Sequence, residues 1–283
     1  MRPIETNLPS TRPNRWVFAY TADHGVIPRG GGFPAVQQSV VNLMRSWDAD
    51  YYLFGGDNAY DSGTTLEVAA AWAPWSAEIA KKQVFAVMGN HDLDTADGAA
   101  TSAKFPYWPN NQRYYVVELG PCAFVMLNSG YRTAGQIVEK DWIGEDSTQW
   151  ECLRDALSRT KAKFKIAIIH HSPYTSGSNY TPGKTEWRIP WSKYGIDLVL
   201  SGHTHNYERL LVDEVPHIVS GTGGASLVGF TSPPLIQSVK RISSSYGALK
   251  ITVTENSLHV GFRNTSDDEI DYLNIAKVSH PAR

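Results

Sequence analysis

The chain has 283 residues, of which 42% are hydrophobic and 19% are charged. It carries 26 Lys and Arg against 28 Asp and Glu, a balance that excludes the strongly basic surface with which proteins bind nucleic-acid polymers or anionic membranes. No apolar run reaches the roughly 18 residues that a membrane-spanning helix needs.

The N-terminal residues 1–15 are polar and rich in proline, and they lack the apolar stretch of a signal peptide. We expect a surface arm over residues 1–15. Because no linker or repeat interrupts the rest, we expect a single domain over residues 16–283. The only cysteines are Cys122 and Cys152. Two free thiols are the preferred interpretation, and a single disulfide is the alternative.

Short apolar runs predict five strands that are buried on both faces of a sheet. The runs cover residues 16–20, 51–54, 84–88, 166–169 and 198–200. Each run ends abruptly in Gly, Ser or polar residues. The side chains that follow the five runs are Asp23, Asp57, Asn90, His170 and His203.

Helical patterns lie between these runs. Pro34 opens the first, whose apolar face consists of Val36, Val40, Leu43, Met44 and Trp47. Residues 65–82 have a helical composition that Pro74 is expected to break. A third helix is capped by Asp146 or Ser147, and its apolar stripe consists of Trp150, Leu153 and Leu157.

Beyond His205 the pattern changes to short strands over residues 207–212, 217–219, 248–253 and 258–262. Alternating helices and strands followed by a β-rich part predict an α/β fold with mixed sheets and helices outside them. In such folds, ligands bind beyond the carboxyl ends of the strands. The five predicted strands deliver Asp, Asn and His side chains to that edge, so we expect a site there.

The donors that meet at this edge are carboxylate, amide, imidazole and phenolate groups, with no thiolate among them. Such donors suit Fe(III), Fe(II), Mn(II) or Zn(II). They are too many for one ion, so two ions that share Asp57 are the simpler interpretation. Glycines precede Asp57, Asn90 and His203, and a residue without a side chain lets the backbone approach an ion closely.

The five segments are Asp23-His24-Gly25, Gly56-Asp57-Asn58-Ala59-Tyr60, Gly89-Asn90-His91-Asp92, Ile169-His170-His171 and Gly202-His203-Thr204-His205. In this order they resemble the calcineurin-like metallophosphoesterases, and within them the purple acid phosphatases. Gly25 stands where most of the superfamily has a histidine, and Tyr60 offers a phenolate in its place. A phenolate favours Fe(III), which is a hard trivalent ion. The resemblance covers residues 16–272.

The resemblance implies a four-layer α/β/β/α sandwich, in which two mixed β-sheets are flanked by helices. It implies an Fe(III) site formed by Asp23, Asp57, Tyr60 and His205. It also implies an Fe(II), Zn(II) or Mn(II) site formed by Asp57, Asn90, His170 and His203. A metal-bound hydroxide would attack phosphorus in line with the leaving oxygen. His91 would protonate the leaving group, and Asp92 would orient His91.

Alternatives remain open for two histidines. Measured back from Tyr174, His170 occupies the ligand position of the family, and His171 would then be a packed neighbour. The opposite assignment of this pair is the alternative. His24 falls at a variable place in its segment and is interpreted as a satisfied loop histidine rather than a ligand.

Other residues near the fourth segment are expected to shape a substrate cleft, namely Tyr174, Thr175, Lys184 and Arg188. Plant enzymes carry a histidine pair where this chain has Ser178-Asn179-Tyr180-Thr181, a departure that bears on substrate preference. Arg209 is interpreted as a structural anchor. Trp72 and Trp75 are interpreted as core residues rather than a binding platform.

The function that follows from the resemblance is a phosphomonoesterase with two metal ions, acting on a small phosphoester. A phosphodiesterase for nucleotides or glycerophosphodiesters is the alternative. A non-catalytic binding protein on the same fold is a more remote one. We expect no nucleic-acid polymer and no membrane as partner, and the sequence predicts no particular oligomeric state. Low charge and aromatic richness, with the resemblance, favour a secreted or periplasmic protein.

Overall fold

A computed structural model describes residues 4–5, 14–25, 34–109, 113–136 and 144–277. Most of the predicted arm, residues 1–15, lies outside the described residues, although residues 4–5 form a strand. None of the helices in the described ranges is long and apolar enough to cross a membrane.

The strands in chain order are β1 (Ile4–Glu5), β2 (Trp16–Thr21), β3 (Tyr51–Phe54), β4 (Val84–Ala86), β5 (Tyr115–Leu119), β6 (Cys122–Leu127), β7 (Phe164–His171), β8 (Leu198–Gly202), β9 (Tyr207–Val212), β10 (Val215–Ser220), β11 (Ser238–Ile242), β12 (Gly247–Val253), β13 (Ser257–Asn264) and β14 (Glu269–Ala276). They form an eight-stranded sheet, in the order β1-β5-β6-β7-β8-β10-β9-β11, and a six-stranded sheet, in the order β14-β13-β12-β2-β3-β4. Both sheets mix parallel and antiparallel pairs, as predicted.

The α-helices are α1 (Ala35–Ser46), α2 (Thr65–Trp72), α3 (Ser76–Ala80), α4 (Asn90–Asp94), α5 (Ala99–Lys104) and α6 (Thr148–Arg159). Pro74 lies in a 3-10 turn, Ala73–Trp75, that separates α2 from α3, which confirms the predicted break. Of the two candidate caps of α6, the structure has Ser147, whose hydroxyl accepts a hydrogen bond from the Trp150 backbone N–H.

Side-chain alternation along the central strands produces the layers. Ile166 and Ile168 of β7 lie in the core between the two sheets, whereas Ala167 and Ile169 lie in a second core with Trp150 of α6. On the other flank, α1 packs against β12 of the six-stranded sheet. The result is the predicted α/β/β/α sandwich.

Several uncertain side chains are resolved by this packing. Trp72 and Trp75 are fully buried and both contact the Phe54 ring, so they are core residues as predicted. Cys122 and Cys152 are free thiols, which confirms the preferred interpretation.

Arg209 is the structural anchor that the sequence predicted. Its guanidinium donates two hydrogen bonds to the carboxylate of Asp271 on β14, at 2.7 and 3.0 Å. The Tyr207 hydroxyl donates to the same carboxylate at 2.7 Å. Since β9 and β14 belong to different sheets, these contacts connect the two sheets.

Candidate metal centre

Asp23 and Asp57 are placed by sharp turns that follow two neighbouring parallel strands. Their φ angles are +57° and +50°, a left-handed conformation that aspartate adopts more readily than most residues. Asp23 N–H donates to the Gly56 carbonyl at 3.0 Å, and Gly25 N–H donates to the Asp57 carbonyl at 3.3 Å. The two turns therefore lie side by side, and both carboxylates are buried.

Two of the glycines that precede candidate ligands leave room for these carboxylates. A Cβ atom at Gly89 would lie 2.2 Å from Asp57 Oδ1, and one at Gly202 would lie 2.6 Å from Asp23 Oδ2. Any side chain at either position would displace a candidate ligand.

Tyr60 is the centre of the first candidate ligand set. Its hydroxyl lies 3.0 Å from Asp23 Oδ1, 3.1 Å from Asp57 Oδ2 and 3.2 Å from His205 Nε2. His205 Nε2 is also 3.3 Å from Asp23 Oδ1. Ligands about 2.1 Å from a common ion are about 3.0–3.4 Å apart at octahedral or tetrahedral angles. The four groups therefore fit one ion.

The second candidate set meets at His170. His170 Nε2 lies 3.1 Å from Asn90 Oδ1 and 3.2 Å from Asp57 Oδ2. Both distances fall in the range of about 3.0–3.4 Å expected between two ligands of one ion. The His203 ring centre is 5.1 Å from that of His170. Asp57 Oδ2 belongs to both sets, which is the arrangement expected of a bridging ligand.

Two of the imidazoles are oriented by backbone carbonyls. His170 Nδ1 donates to the Gly55 carbonyl at 2.9 Å, and His205 Nδ1 donates to the Ser226 carbonyl at 3.0 Å. Each bond leaves Nε2 free to face the carboxylates. Metal-binding histidines commonly have such a partner on the other ring nitrogen, because it fixes the ring orientation.

The electrostatics of the centre suit cations. Burial opposes the charged forms, but the His170 imidazole holds the pKa of Asp57 below its usual value. Burial likewise opposes a charge on His170, but the Asp57 carboxylate outweighs it and raises the pKa of His170 to about 9. Burial, then Asp23 and Asp57, raise the pKa of Tyr60 well above 10.0. A phenolate at Tyr60 therefore requires a strong cation, so the donor set and its charges fit a metal centre.

His91 lies beside the centre, but its predicted orienting partner is wrong. Its ring is 4.3 Å from the Tyr60 ring, and its Nε2 is 3.9 Å from Asp57 Oδ2. Its Nδ1 contacts the Asp61 carbonyl at 2.5 Å and not Asp92. Asp92 is fully buried and accepts hydrogen bonds from Gly89 N–H and from Asn58, so it braces the turns that carry the ligands.

His24 is a loop histidine as interpreted, but it is not satisfied, because its buried Nε2 has no hydrogen-bond partner among the described residues. It is buried, and its ring lies 4.6 and 5.0 Å from the rings of Phe54 and Trp72. Burial lowers the pKa of His24 to about 4. The ring is therefore a neutral packing group.

A cleft of about 430 Å³ opens onto the two ligand sets. Of the residues expected to shape it, Thr175 and Lys184 line it. Tyr174 and Arg188 do not, because the Arg188 guanidinium stacks 4.3 Å above the Tyr174 ring and donates to the Pro173 and Pro182 carbonyls.

One group in the cleft was not identified from the sequence, and a second was identified only as a departure from the plant enzymes. Arg132 and Thr133 line it from the loop after β6, a strand that the sequence analysis did not predict. In place of the plant histidine pair, Asn179, Tyr180 and Thr181 line the cleft, and the Tyr180 ring is 4.5 Å from that of His203.

A protein-family model described as Calcineurin-like phosphoesterase matches residues 17–207, a range that contains all seven candidate ligands. A Hordeum vulgare protein named nucleotide pyrophosphatase/phosphodiesterase is 24% identical, over 82% of this chain and 72% of its own length. Purple acid phosphatase 5 of Arabidopsis thaliana is 25% identical, over 65% of this chain and 44% of its own length. A probable inactive purple acid phosphatase 1 from the same plant is 29% identical, over 49% of this chain and 28% of its length. This chain thus spans less than half the length of the Arabidopsis relatives.

Two solved structures share the fold. A purple acid phosphatase from yellow lupin seeds superposes with a TM-score of 0.73 at 19% identity, over 94% of this chain and 54% of that one. GAP50, the anchor in the inner membrane complex of Plasmodium, superposes with a TM-score of 0.69 at 17% identity, over 93% and 89%. At these identities the likeness is one of fold.

Proposed function

Because the chain belongs to the calcineurin-like phosphoesterase family of phosphoric ester hydrolases, we propose that it hydrolyses small phosphomonoesters at a dinuclear metal centre of the purple acid type. The proposed ligands are Asp23, Asp57, Tyr60 and His205 for Fe(III), and Asp57, Asn90, His170 and His203 for a divalent ion. Fe(II), Zn(II) and Mn(II) are the candidates for that second ion.

The observation that carries this proposal is the convergence on Asp57 Oδ2. Tyr60 lies 3.1 Å from it on one side, and His170 lies 3.2 Å from it on the other. A phenol buried between two carboxylates has no role in packing that a phenylalanine would not fill at lower cost. The Tyr60 phenol does have a role as the phenolate ligand of a hard trivalent ion.

Two bound ions supply the Lewis acidity that activates water and neutralises charge developing on the phosphoryl group. The chain supplies position and protons. Asp92 holds the Asn58 and Gly89 backbone, so that Asp57 and Asn90 keep their spacing. His91, held at Nδ1 by the Asp61 carbonyl, presents Nε2 toward the cleft and is the proposed donor to the leaving oxygen.

A second candidate function is hydrolysis of phosphodiesters or nucleotide pyrophosphates. The cleft wall carries Arg132 and Lys184, and Asp57 is the only carboxylate among its described lining residues. A second anionic group on the substrate would meet Lys184, and it would share Arg132 with the Asp97 carboxylate, with which that guanidinium is paired. The name of the barley relative is consistent with such a substrate.

The test is a substrate panel on protein reconstituted with iron and with iron plus zinc or manganese. Nitrophenyl phosphate, an alkyl monoester, bis-nitrophenyl phosphate and a nucleoside diphosphate are compared at several pH values. We expect the monoesters to have the highest kcat/KM. A diester or diphosphate that exceeds them would establish the second candidate instead.

A binding protein without turnover is the remote alternative, and one Arabidopsis relative carries the word inactive in its name. This chain retains every proposed ligand within the matched range. Fully metallated protein that hydrolyses none of the four substrates would overturn the enzymatic proposal.

A further inference from the structure

Strand β7 contains a bulge at the point where it reaches the metal centre. Ile169 pairs with Ser201 of β8, and the next pair is His171 with Gly202, so His170 is an extra residue. In a regular strand, neighbouring side chains point to opposite faces of the sheet. A bulge places two residues opposite one and re-aims their side chains. Here it brings both histidines to the same site.

His171 is buried and lies among the candidate ligands. Its ring centre is 4.0 Å from that of His203 and 4.9 Å from that of His170. One ring nitrogen from each of the three histidines lies within 4.8 Å of the others. Three ligands of one ion at about 2.1 Å can be at most about 3.6 Å from one another, so the rings must approach by up to about 1.2 Å to meet at a common ion.

The other contacts of His171 match those of the candidate ligands. Its Nδ1 lies 2.7 Å from the Ser129 hydroxyl, just as Nδ1 of His170 and of His205 contact carbonyl oxygens. Within the described ranges no protein group is hydrogen-bonded to its Nε2, although the side chain is only 2% exposed. His171 also lines the cleft, and a ring nitrogen without a protein partner at such a position is placed to bind a ligand.

We propose that His171 is a third imidazole ligand of the second metal ion, beside His170 and His203. This inference rests on the proposed dinuclear centre and resolves the alternative between the two neighbouring histidines, because both bind. Three imidazoles make the second site rich in nitrogen, beside the oxygen donors of the Asn90 amide and the Asp57 carboxylate. Imidazole suits Zn(II) and Fe(II), whereas Mn(II) prefers oxygen donors. The second ion is therefore Zn(II) or Fe(II), and Mn(II) binds it weakly.

The wild-type protein alone provides the first test. With Fe(III) in the first site and Zn(II) in the second, X-ray absorption at the zinc edge counts the imidazoles bound to zinc. Three imidazoles support the proposal, and two overturn it. Binding of fewer than two metal ions per chain would instead contradict the dinuclear centre, so the two failures are distinguishable.

Variants provide the second test, read as metal affinity rather than activity. In the Fe(III)-loaded protein, His171→Ala and His171→Gln should weaken Zn(II) binding at the second site by at least about tenfold. They should change Mn(II) binding much less, so the selectivity for Zn(II) falls. His217→Ala is the matched control, because His217 is equally buried but lies on β10 between Tyr174 and Trp191. Unchanged Zn(II) affinity in folded His171 variants would overturn the proposal.

Discussion

A single residue, Tyr60, sets the metal preference of the first proposed site. Burial and the two carboxylates keep its pKa far above 10.0, so only a strongly acidic ion makes the phenolate at neutral pH. We predict that iron-loaded protein is coloured by phenolate-to-Fe(III) charge transfer and that Tyr60→Phe removes the band. Visible absorption and iron content of both proteins check this. A colourless wild type with stoichiometric iron and full activity would refute the assignment of Tyr60.

His91 separates proton donation from metal binding. A proton donor matters most when the leaving oxygen is basic, as in an alkyl phosphate, and much less for nitrophenyl phosphate. General acid catalysis typically contributes about 10²- to 10⁴-fold. We expect His91→Ala to slow hydrolysis of an alkyl monoester by a factor in this range and hydrolysis of the aryl ester far less. The variant should retain the metal content of the wild type. Steady-state kinetics with metal analysis measure both, and equal losses on the two esters would argue for stabilisation of the phosphoryl charge instead.

His217 gives the fold a titration that does not involve the metal centre. Burial lowers the pKa of His217 to about 3, against about 6.5 in an unfolded chain. Since the unfolded chain binds the proton more tightly, the stabilisation is complete above about pH 6.5 and is lost as the pH falls toward 3. At pH 5 the loss is about 2 kcal/mol. Urea unfolding at pH 7 and pH 5 measures this loss. Between the two pH values, the free energy of unfolding of His217→Leu should fall by about 2 kcal/mol less than that of the wild type. Equal falls in the two proteins would contradict the buried neutral state.

The candidate metal ligands could be found from the sequence because they lie at or just beyond the ends of apolar runs, and because a glycine precedes Asp57, Asn90 and His203. Asp92 was wrongly predicted to orient His91, and Ser129 was not predicted as a partner of His171. Both errors have a common cause. His91 is held by the backbone carbonyl of Asp61, and any residue can provide a carbonyl. Ser129 contacts His171 beside the bulge of β7, and that bulge is defined by pairing with the distant strand β8.

At the scale of elements, β9 and β14 hold the two sheets together through Arg209 and Asp271. Both partners are mostly buried, and their bidentate contact is of the stronger, charge-assisted kind. We predict that Arg209→Met lowers the free energy of unfolding by about 2 kcal/mol, because the half-buried Asp271 carboxylate then keeps the hydrogen bond from Tyr207 but loses both bonds from the guanidinium.

Urea unfolding measures this loss, and the pair Arg159 and Asp155 on α6 supplies the control. That pair is exposed to solvent, so Arg159→Met should leave the unfolding midpoint nearly unchanged. A midpoint shift in Arg209→Met no larger than in the control would show that the contact between the sheets does not stabilise the fold.

The elements that were predicted are those with a strong local pattern, such as β2, β7 and α1. The strands that were missed depend on their partners. Strand β14 is an edge strand whose side chains alternate between half-buried and exposed, so it has no apolar run to detect. Strand β11 is also an edge strand and is largely exposed. Strands β5 and β6 are buried and form an antiparallel hairpin, but the turn at Gly120 and Pro121 interrupts their apolar residues, so no helix or polar segment separates the two strands in the sequence.

At the scale of the whole molecule, the metal centre lies where the two sheets present their carboxyl ends together. Asp23, Asp57 and Asn90 follow strands of the six-stranded sheet. His170, His203 and His205 belong to the eight-stranded sheet or follow it. The sandwich itself was expected only from the resemblance, because the sheet that a strand joins is set by distant pairing such as β12 with β2. Metal ions bound at the proposed centre would therefore contact residues from both sheets.

Metal removal is therefore expected to weaken the junction without unfolding the sheets. An ion that binds only the folded chain stabilises it by about 2.7 kcal/mol when its free concentration is 100 times Kd. Two ions then contribute about 5 kcal/mol, a large part of the roughly 5–15 kcal/mol by which domains are stable. The apolar core between the sheets remains. We predict that chelation lowers the urea midpoint and leaves the far-ultraviolet circular dichroism at 25 °C unchanged.

Asp57→Asn tests whether the loss comes from the metals or from the chelator. The substitution keeps the size of the side chain but removes the charge that both ions share, so added metal should raise its unfolding midpoint much less than that of the wild type. His205→Ala should keep about half of the metal-dependent increment, because it affects one ligand set only. If Asp57→Asn responds to metal as the wild type does, Asp57 does not bridge two ions. If chelation unfolds the wild type completely, the ions are needed for the fold itself and the core between the sheets is not sufficient.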